Sequence, residues 1–178
     1  RVRAFPVGHI AGALDDRFRL LVSRSRTAPA RQQTLRATID WSYDLLDGDE
    51  KLAFAHLSVF SGGSSLEAAR YVLDSAGLDQ ERLFDVLSEL VDKSILTAGA
   101  DAAGAPRYRM LQSLRMYGRA RLSDEGQLQP AQQIHREYFV RFAEAAEPSL
   151  QHADYQVWQR RIIEDYENLR SAFDGALT

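Results

Sequence analysis

Apolar positions recur at helical spacing along most of the chain. Over residues 31–46, Leu35, Ile39, Tyr43 and Leu46 follow at steps of four, four and three, and Trp41 with Leu45 widens the stripe, which predicts an amphipathic helix. Asp47-Gly48-Asp49-Glu50 ends that pattern and supplies a cap for a second helix reaching about residue 59, turned inward through Leu52, Phe54 or Ala55, and Leu57. Phe60-Ser61-Gly62-Gly63-Ser64 reads as a turn. Ser64 or Ser65 then caps a helix through residue 73, and Ser64 has Glu67 three positions on, the spacing of a capping box. After a loop around Gly77, Leu83, Val86 or Leu87, Leu90 and Val91 predict a third helix over 79–93. A short strand over 95–97, a small-residue loop over 99–106 and a return strand over 107–110 follow. A helix over 111–122 precedes a breaker segment at 123–130.

The remainder is helical. Ile134, Tyr138, Phe142 and Ala146 lie at steps of four with Phe139 beside them, and Pro148 is expected to break that helix. From residue 154 onward Tyr155, Trp158, Ile162, Tyr166, Leu169 and Phe173 keep helical spacing, which fits one helix or two. Before residue 31 the pattern is weaker: a short element over 7–14 behind Pro6, an apolar cluster at Phe18, Leu20, Leu21 and Val22, and a polar connector over 23–30. Both ends read as interrupted helices, so the chain is expected to be a piece of a longer protein. The order helix–helix–helix–strand–turn–strand over the middle is a winged-helix layout, and the fold class predicted is mainly α with one small β-wing.

Three stretches carry a family resemblance. Residues 31–46 (RQQTLRATIDWSYDLL), 57–69 with 90–96 (LSVFSGGSSLEAA and LVDKSIL), and 162–177 (IIEDYENLRSAFDGAL) resemble successive parts of LuxR/AfsR-type bacterial transcriptional regulators. Those belong to the signal-transducing (STAND, NB-ARC-like) ATPases. The resemblance implies a plan in which residues 1–46 end a helical lid, 47–125 form the winged-helix domain, and 126–178 open a TPR-like helical sensor region of antiparallel helices. It also implies that an ATPase domain of the same full-length chain is the partner, with ATP or ADP and Mg in that parent domain and no cofactor in this piece. In many relatives the strand-to-helix junction after the wing ends in Met-His-Asp, whose histidine touches ADP. Here Met110 matches, Leu111 stands in the histidine's place and Gln112 replaces the aspartate. Nucleotide-sensing candidates are therefore Arg107, Arg109, Met110, Leu111, Gln112 and Arg115, since a guanidinium suits phosphate. The competing reading is that these arginines decorate a helix and a wing edge.

Charge and composition narrow the function. No G-x-x-x-x-G-K-[ST] loop occurs, so ATP hydrolysis by this piece is not expected, and no catalytic residue is assigned. Basic charge is almost all arginine, with eight arginines between residues 1 and 36 against Asp15 and Asp16, while the net charge is −3. The predicted third helix offers Asp79, Glu81, Asp85, Glu89 and Asp92 against Arg82 and Lys93, which a phosphate backbone would repel. DNA binding is thus not expected, although a basic run after the wing (Arg107, Arg109, Arg115, Arg119, Arg121) leaves a direct DNA-binding regulator as the alternative, and a protein-recruiting helical scaffold as a second. The four histidines lack ligand spacing, so no metal site is expected, and His56 reads as a packed or half-exposed residue. Cysteine is absent and no apolar run reaches the ~18 residues of a membrane span, which fits a cytoplasmic protein with no membrane contact.

Overall fold

The computed structural model describes residues 30–101, 104–149 and 155–174. It divides into two units, 1–46 and 47–178. Of the first unit, the described part is essentially one helix, α1 (Ala30–Asp44), closed by the bond from the Leu46 N–H to the Tyr43 carbonyl. Ile39 and Leu46 are buried, as the stripe predicts, but Trp41 and Leu45 are exposed and do not widen it. The expected element over 7–14, the apolar cluster at 18–22 and most of the arginine-rich segment lie outside the described residues.

The second unit begins with α2 (Gly48–Leu57), whose N-terminus is fixed by a full capping box. The Asp47 carboxylate accepts from the Glu50 N–H, and Glu50 reaches back to the Asp47 N–H, both at 2.8 Å. Strand β1 (Ser64–Ser65) runs into α3 (Leu66–Ser75), and it is Ser65, not Ser64, whose hydroxyl caps the helix at Ala68. Ser64 is instead committed to a strand pairing with Tyr108. The third helix, α4 (Leu83–Asp92), starts four residues later than the span predicted over 79–93, at the first residue of its apolar stripe. Asp79 holds the intervening turn by accepting from the Glu81 N–H, while its carbonyl takes the Arg82 N–H.

α4 ends in a Schellman motif: the Ser94 N–H bonds to the Val91 carbonyl and the Ile95 N–H to the Leu90 carbonyl, with Ser94 at φ 59°. That reversal feeds β2 (Leu96–Ala100), which pairs antiparallel with β3 (Pro106–Met110). Both strands extend into the predicted loop, so the wing hairpin is longer and its turn tighter. β3 is central in the order β1-β3-β2, and the two-residue β1 had no periodicity to betray it.

α5 (Gln112–Asp124) packs across α2 with Gly118 at the closest approach. The core of the winged helix is built from Phe54, Leu57, Val59, Val72, Leu73, Val86, Leu87, Leu90, Leu96 and Leu122. Three more helices complete the unit: α6 (Leu128–Ser149), α7 (Tyr155–Glu164) and α8 (Tyr166–Asp174). α6 passes through Pro148 instead of stopping before it; Pro148 sits in its last turn. The aromatic stripe packs as predicted at Tyr138, Phe139 and Phe142, with Trp158 edge-on to Phe142, whereas Tyr166 and Phe173 are exposed. The final apolar pattern forms two helices, broken at Asp165.

Gly118 generates a direct test of packing. A Cβ there would lie 2.7 Å from Ser58 Cβ and 3.2 Å from the Phe54 carbonyl oxygen, so the two helices cannot keep their spacing. Gly118→Ala should destabilise the fold by ~1–3 kcal/mol despite alanine's better helix propensity, as read by urea denaturation. A gain in stability would refute this packing.

Candidate functional site

The surface of α4 follows from its sequence. Leu83, Val86, Leu87 and Leu90 turn inward at helical spacing, which leaves Phe84, Asp85, Ser88 and Asp92 outward. Phe84 is 61% exposed and borders a groove that it shares with Arg70, Arg160, Arg161, Glu67 and Glu164. The two cations at the ends of α4 are engaged. Arg82 lies 3.3 Å from Asp49, 3.7 Å from Asp85 and 3.8 Å from Asp47, and Lys93 donates to the buried Glu50. Both stay protonated above their ordinary range, Arg82 chiefly through its hydrogen bond to Asp49 and Lys93 through its bond to Glu50. Asp47, Glu50 and Glu89 bring carboxylate oxygens within 4.8 Å of one another. Two of those three already bind backbone amides and cations, so the cluster reads as a helix cap with its counter-ions.

The arginine segment is largely consumed inside the fold. Arg119 donates to the carbonyls of Ser58 (3.0 Å) and Val59 (2.8 Å), and Arg115 to those of Phe60 (3.2 Å) and Ser61 (2.8 Å). Guanidinium forks thereby satisfy the orphan carbonyls and the negative dipole end behind α2. Arg121 lies 4.9 Å over the Tyr117 ring and bonds its hydroxyl. Arg107 is 2% exposed and donates to Asp165 at 2.7 Å and to the Glu164 carbonyl at 2.8 Å. Arg109, by contrast, is exposed on β3.

The six sensing candidates are only partly assembled. Arg109, Met110 and Arg115 line a cleft of about 240 Å³ with Gly62 and Gly63. Gly63 has φ +88°, and a Cβ there would sit 2.5 Å from the Tyr108 carbonyl oxygen, so the backbone comes close to β3 only because the residue is glycine. Arg107 is turned away into its ion pair, Leu111 is 64% exposed at the start of α5, and Gln112 is half-buried outside the cleft lining. A larger groove of about 630 Å³ runs between α4 and α7, with Leu66, Leu83, Phe84 and Val157 on its walls.

Sequence reasoning missed a buried polar group with several partners. Asn168 is fully buried: its Oδ1 accepts from the Ser61 N–H at 2.7 Å, and its Nδ2 donates to the Gly63 carbonyl at 2.8 Å and to Asp165 at 3.0 Å. His135 stands beside it, Nε2 at 3.5 Å from Asn168 Oδ1, with Phe60 and Phe139 against its ring. The i, i+3 spacing of Asp165 and Asn168 was the available signal, since it sets both on one helix face. His56, as expected, is half-buried, its Nδ1 against the Leu52 carbonyl.

Residues 46–123 match the family described as "Winged helix-turn-helix domain". Over 173 residues, 97% of this chain, the sequence is 40% identical to a Mycobacterium tuberculosis protein named "Putative HTH-type transcriptional regulator", and to a Mycobacterium bovis protein of the same description. An uncharacterized protein of Mycobacterium tuberculosis is 37% identical over 123 residues, 68% of this chain and 31% of that protein. The chain spans 19% of the length of the two regulators. No solved structure matches it. The matched segment covers the winged helix, and the described residues are mainly helical with a small antiparallel sheet. Among the described residues, no helix is long and apolar enough to cross a membrane.

His135 supplies a pH test. Burial holds its imidazole at about 4, against an ordinary 6.5; the contact with Asn168 pulls weakly the other way, and Arg119 adds to the lowering. The folded state then binds fewer protons than the unfolded chain between these values. Stability is complete above the unfolded pKa and falls as pH drops towards 4, by roughly 3 kcal/mol at most. His135→Gln should flatten that decline in urea denaturation between about pH 7 and about pH 4.5. An unchanged slope would assign the acid sensitivity elsewhere.

Proposed function

We propose that this chain is a non-catalytic regulatory segment of a longer transcriptional regulator of the LuxR/AfsR, signal-transducing ATPase type. Its winged helix makes a protein contact and does not read DNA. The outward face of α4 carries this reading. A recognition helix approaching duplex phosphates needs unengaged cations. Here the helix presents Phe84, Asp85 and Asp92 to solvent, with Arg82 and Lys93 tied to carboxylates. An aromatic anchor within a charged rim is the form of a protein-binding surface.

The partner in this proposal is the ATPase domain of the same full-length, cytoplasmic protein. Its nucleotide state, ATP or ADP with Mg, would bias the contact, and the helices α6–α8 open the TPR-like sensor region. Within the candidate set, Arg109 and Met110 support this reading best, because they border one cleft beside the Gly62-Gly63 turn, where Arg115 already serves the Phe60 and Ser61 carbonyls. Arg107 does not, being committed to Asp165. The rival reading, direct DNA binding, draws on the names of the relatives and on the winged helix match, with exposed Arg109 on the wing as its one structural support.

Titration separates the two. Labelled duplex DNA is added to the chain at low and moderate salt, with the isolated ATPase portion, in ADP or ATP, as the parallel titrant. Binding to the ATPase portion that changes with nucleotide is expected. The double variant Asp85→Lys with Asp92→Lys should weaken it roughly tenfold. Tight duplex binding that collapses with salt would overturn the proposal in favour of the rival.

A further inference from the structure

The junction of α7 and α8 meets the winged helix through polar groups far more than through apolar ones. α7 buries no residue, and α8 buries only Asn168 and Ala172. Val157, Ile163, Tyr166 and Phe173 all face outward, more than half exposed. Trp158 reaches Phe142 and Arg161 pairs with Glu67, but both sit at the partly exposed margin. What lies at the centre is a closed set of polar groups. Asp165 takes Arg107 from β3 and Asn168 from the start of α8, and Asn168 takes the Ser61 N–H and gives to the Gly63 carbonyl.

Such a set cannot open piecemeal. Withdrawing Asp165 alone strands a buried guanidinium, and withdrawing Asn168 alone strands a backbone donor and acceptor next to the Gly63–Tyr108 approach. The groups therefore stay docked together or reach water together. Because the apolar interface around them is thin, the polar set decides between those two arrangements.

We propose that Asp165 and Asn168 are a latch: they lock the α7–α8 helices onto the turn at 61–63 and the central wing strand, so that undocking of those helices unlocks the turn and the wing in one step. Undocking also changes the wing's charge. Arg107 and Arg109 are two residues apart on β3 and share a face of the sheet. With the latch closed, Arg107 is hidden and Arg109 exposed; with it open, both point to solvent. A change in the helical region is thus transmitted to the wing as geometry and as one added positive charge. The latch works in the same way whether the winged helix contacts protein or DNA.

Amide hydrogen exchange on the full chain tests it, comparing wild type with Asp165→Asn and Asn168→Ala. Each variant should accelerate exchange in three segments together, 61–64, 106–110 and 155–174, on the order of a hundredfold in Asp165→Asn. The α2 and α3 amides at 53–57 and 68–73 should keep wild-type protection. Faster exchange in α7–α8 with the turn and β3 unchanged would overturn the latch, since the helices would then undock independently. A uniform rise that includes α2 and α3 would overturn it too, showing a loss of global stability only. If Asp165→Asn does not fold, Asn168→Ala, which removes no charge partner, decides between the same outcomes.

Discussion

The ion pair between Arg107 and Asp165 is the constraint around which the second unit is arranged. Arg107 lies on β3, the strand shared by both pairings of the sheet, and Asp165 lies where the last helical stretch breaks in two. Both charges are almost wholly withdrawn from water, at 2% and 5% exposure. A buried pair of this kind adds little net stability over an apolar pair of similar shape, because desolvation offsets most of the attraction. What it adds is specificity. Any register of β3 other than the observed one would carry Arg107 to the other sheet face or away from Asp165, leaving two unpaired buried charges. One Arg107 nitrogen serves both the Asp165 carboxylate and the Glu164 carbonyl.

The same economy governs the other arginines. Counted along the sequence, Arg107, Arg109, Arg115, Arg119 and Arg121 make a basic run that could face phosphate. Folded, Arg115 and Arg119 face four successive carbonyls, from Ser58 to Ser61, at the end of α2. Those carbonyls lie where the helix ladder has finished and no strand has begun, so a side-chain donor must serve them. The run is basic for structural reasons before any functional ones. The acidic character of α4 is different in kind, because Asp85 and Asp92 point to solvent and no core requirement put them there.

Much of this fold was legible in the sequence, and the limits have physical causes. Helices with one buried stripe announced themselves through their apolar period, as in α4 and α6. The Asp47–Glu50 capping box was readable as a cap because its chemistry is local in sequence. The wing hairpin was visible from its small-residue turn. Boundaries slipped where a local contact overrode the pattern: Asp79 holds a turn inside a helical-looking stretch, and of the two candidate serines it is Ser65 whose hydroxyl takes the Ala68 N–H. The break at Asp165 was invisible because no proline or glycine marks it. The partner that Asp165 meets there, Arg107, lies 58 positions away in sequence. Asn168 and His135 escaped for the same reason, since a buried polar residue in an amphipathic helix has the spacing of a core position and the chemistry of a surface one.

Placement of charge, more than the fold, decides what a winged helix can meet. The scaffold presents its third helix and its wing in one orientation whatever their side chains, so affinity follows from which groups still face water after the interior has been satisfied. On α4 those groups include Phe84 and the carboxylates of Asp85 and Asp92. On β3 the balance depends on whether Arg107 is inside or outside. A wing whose charge depends on helices packed behind it differs from one with fixed cations, because its binding surface is then set by another part of the same unit. The last two helices and the winged helix are coupled through a few buried polar contacts, while α6 packs on it through aromatic rings. That location suits control, since an interface held by a broad hydrophobic core would resist separation, and one held by exposed ion pairs would have no definite closed state.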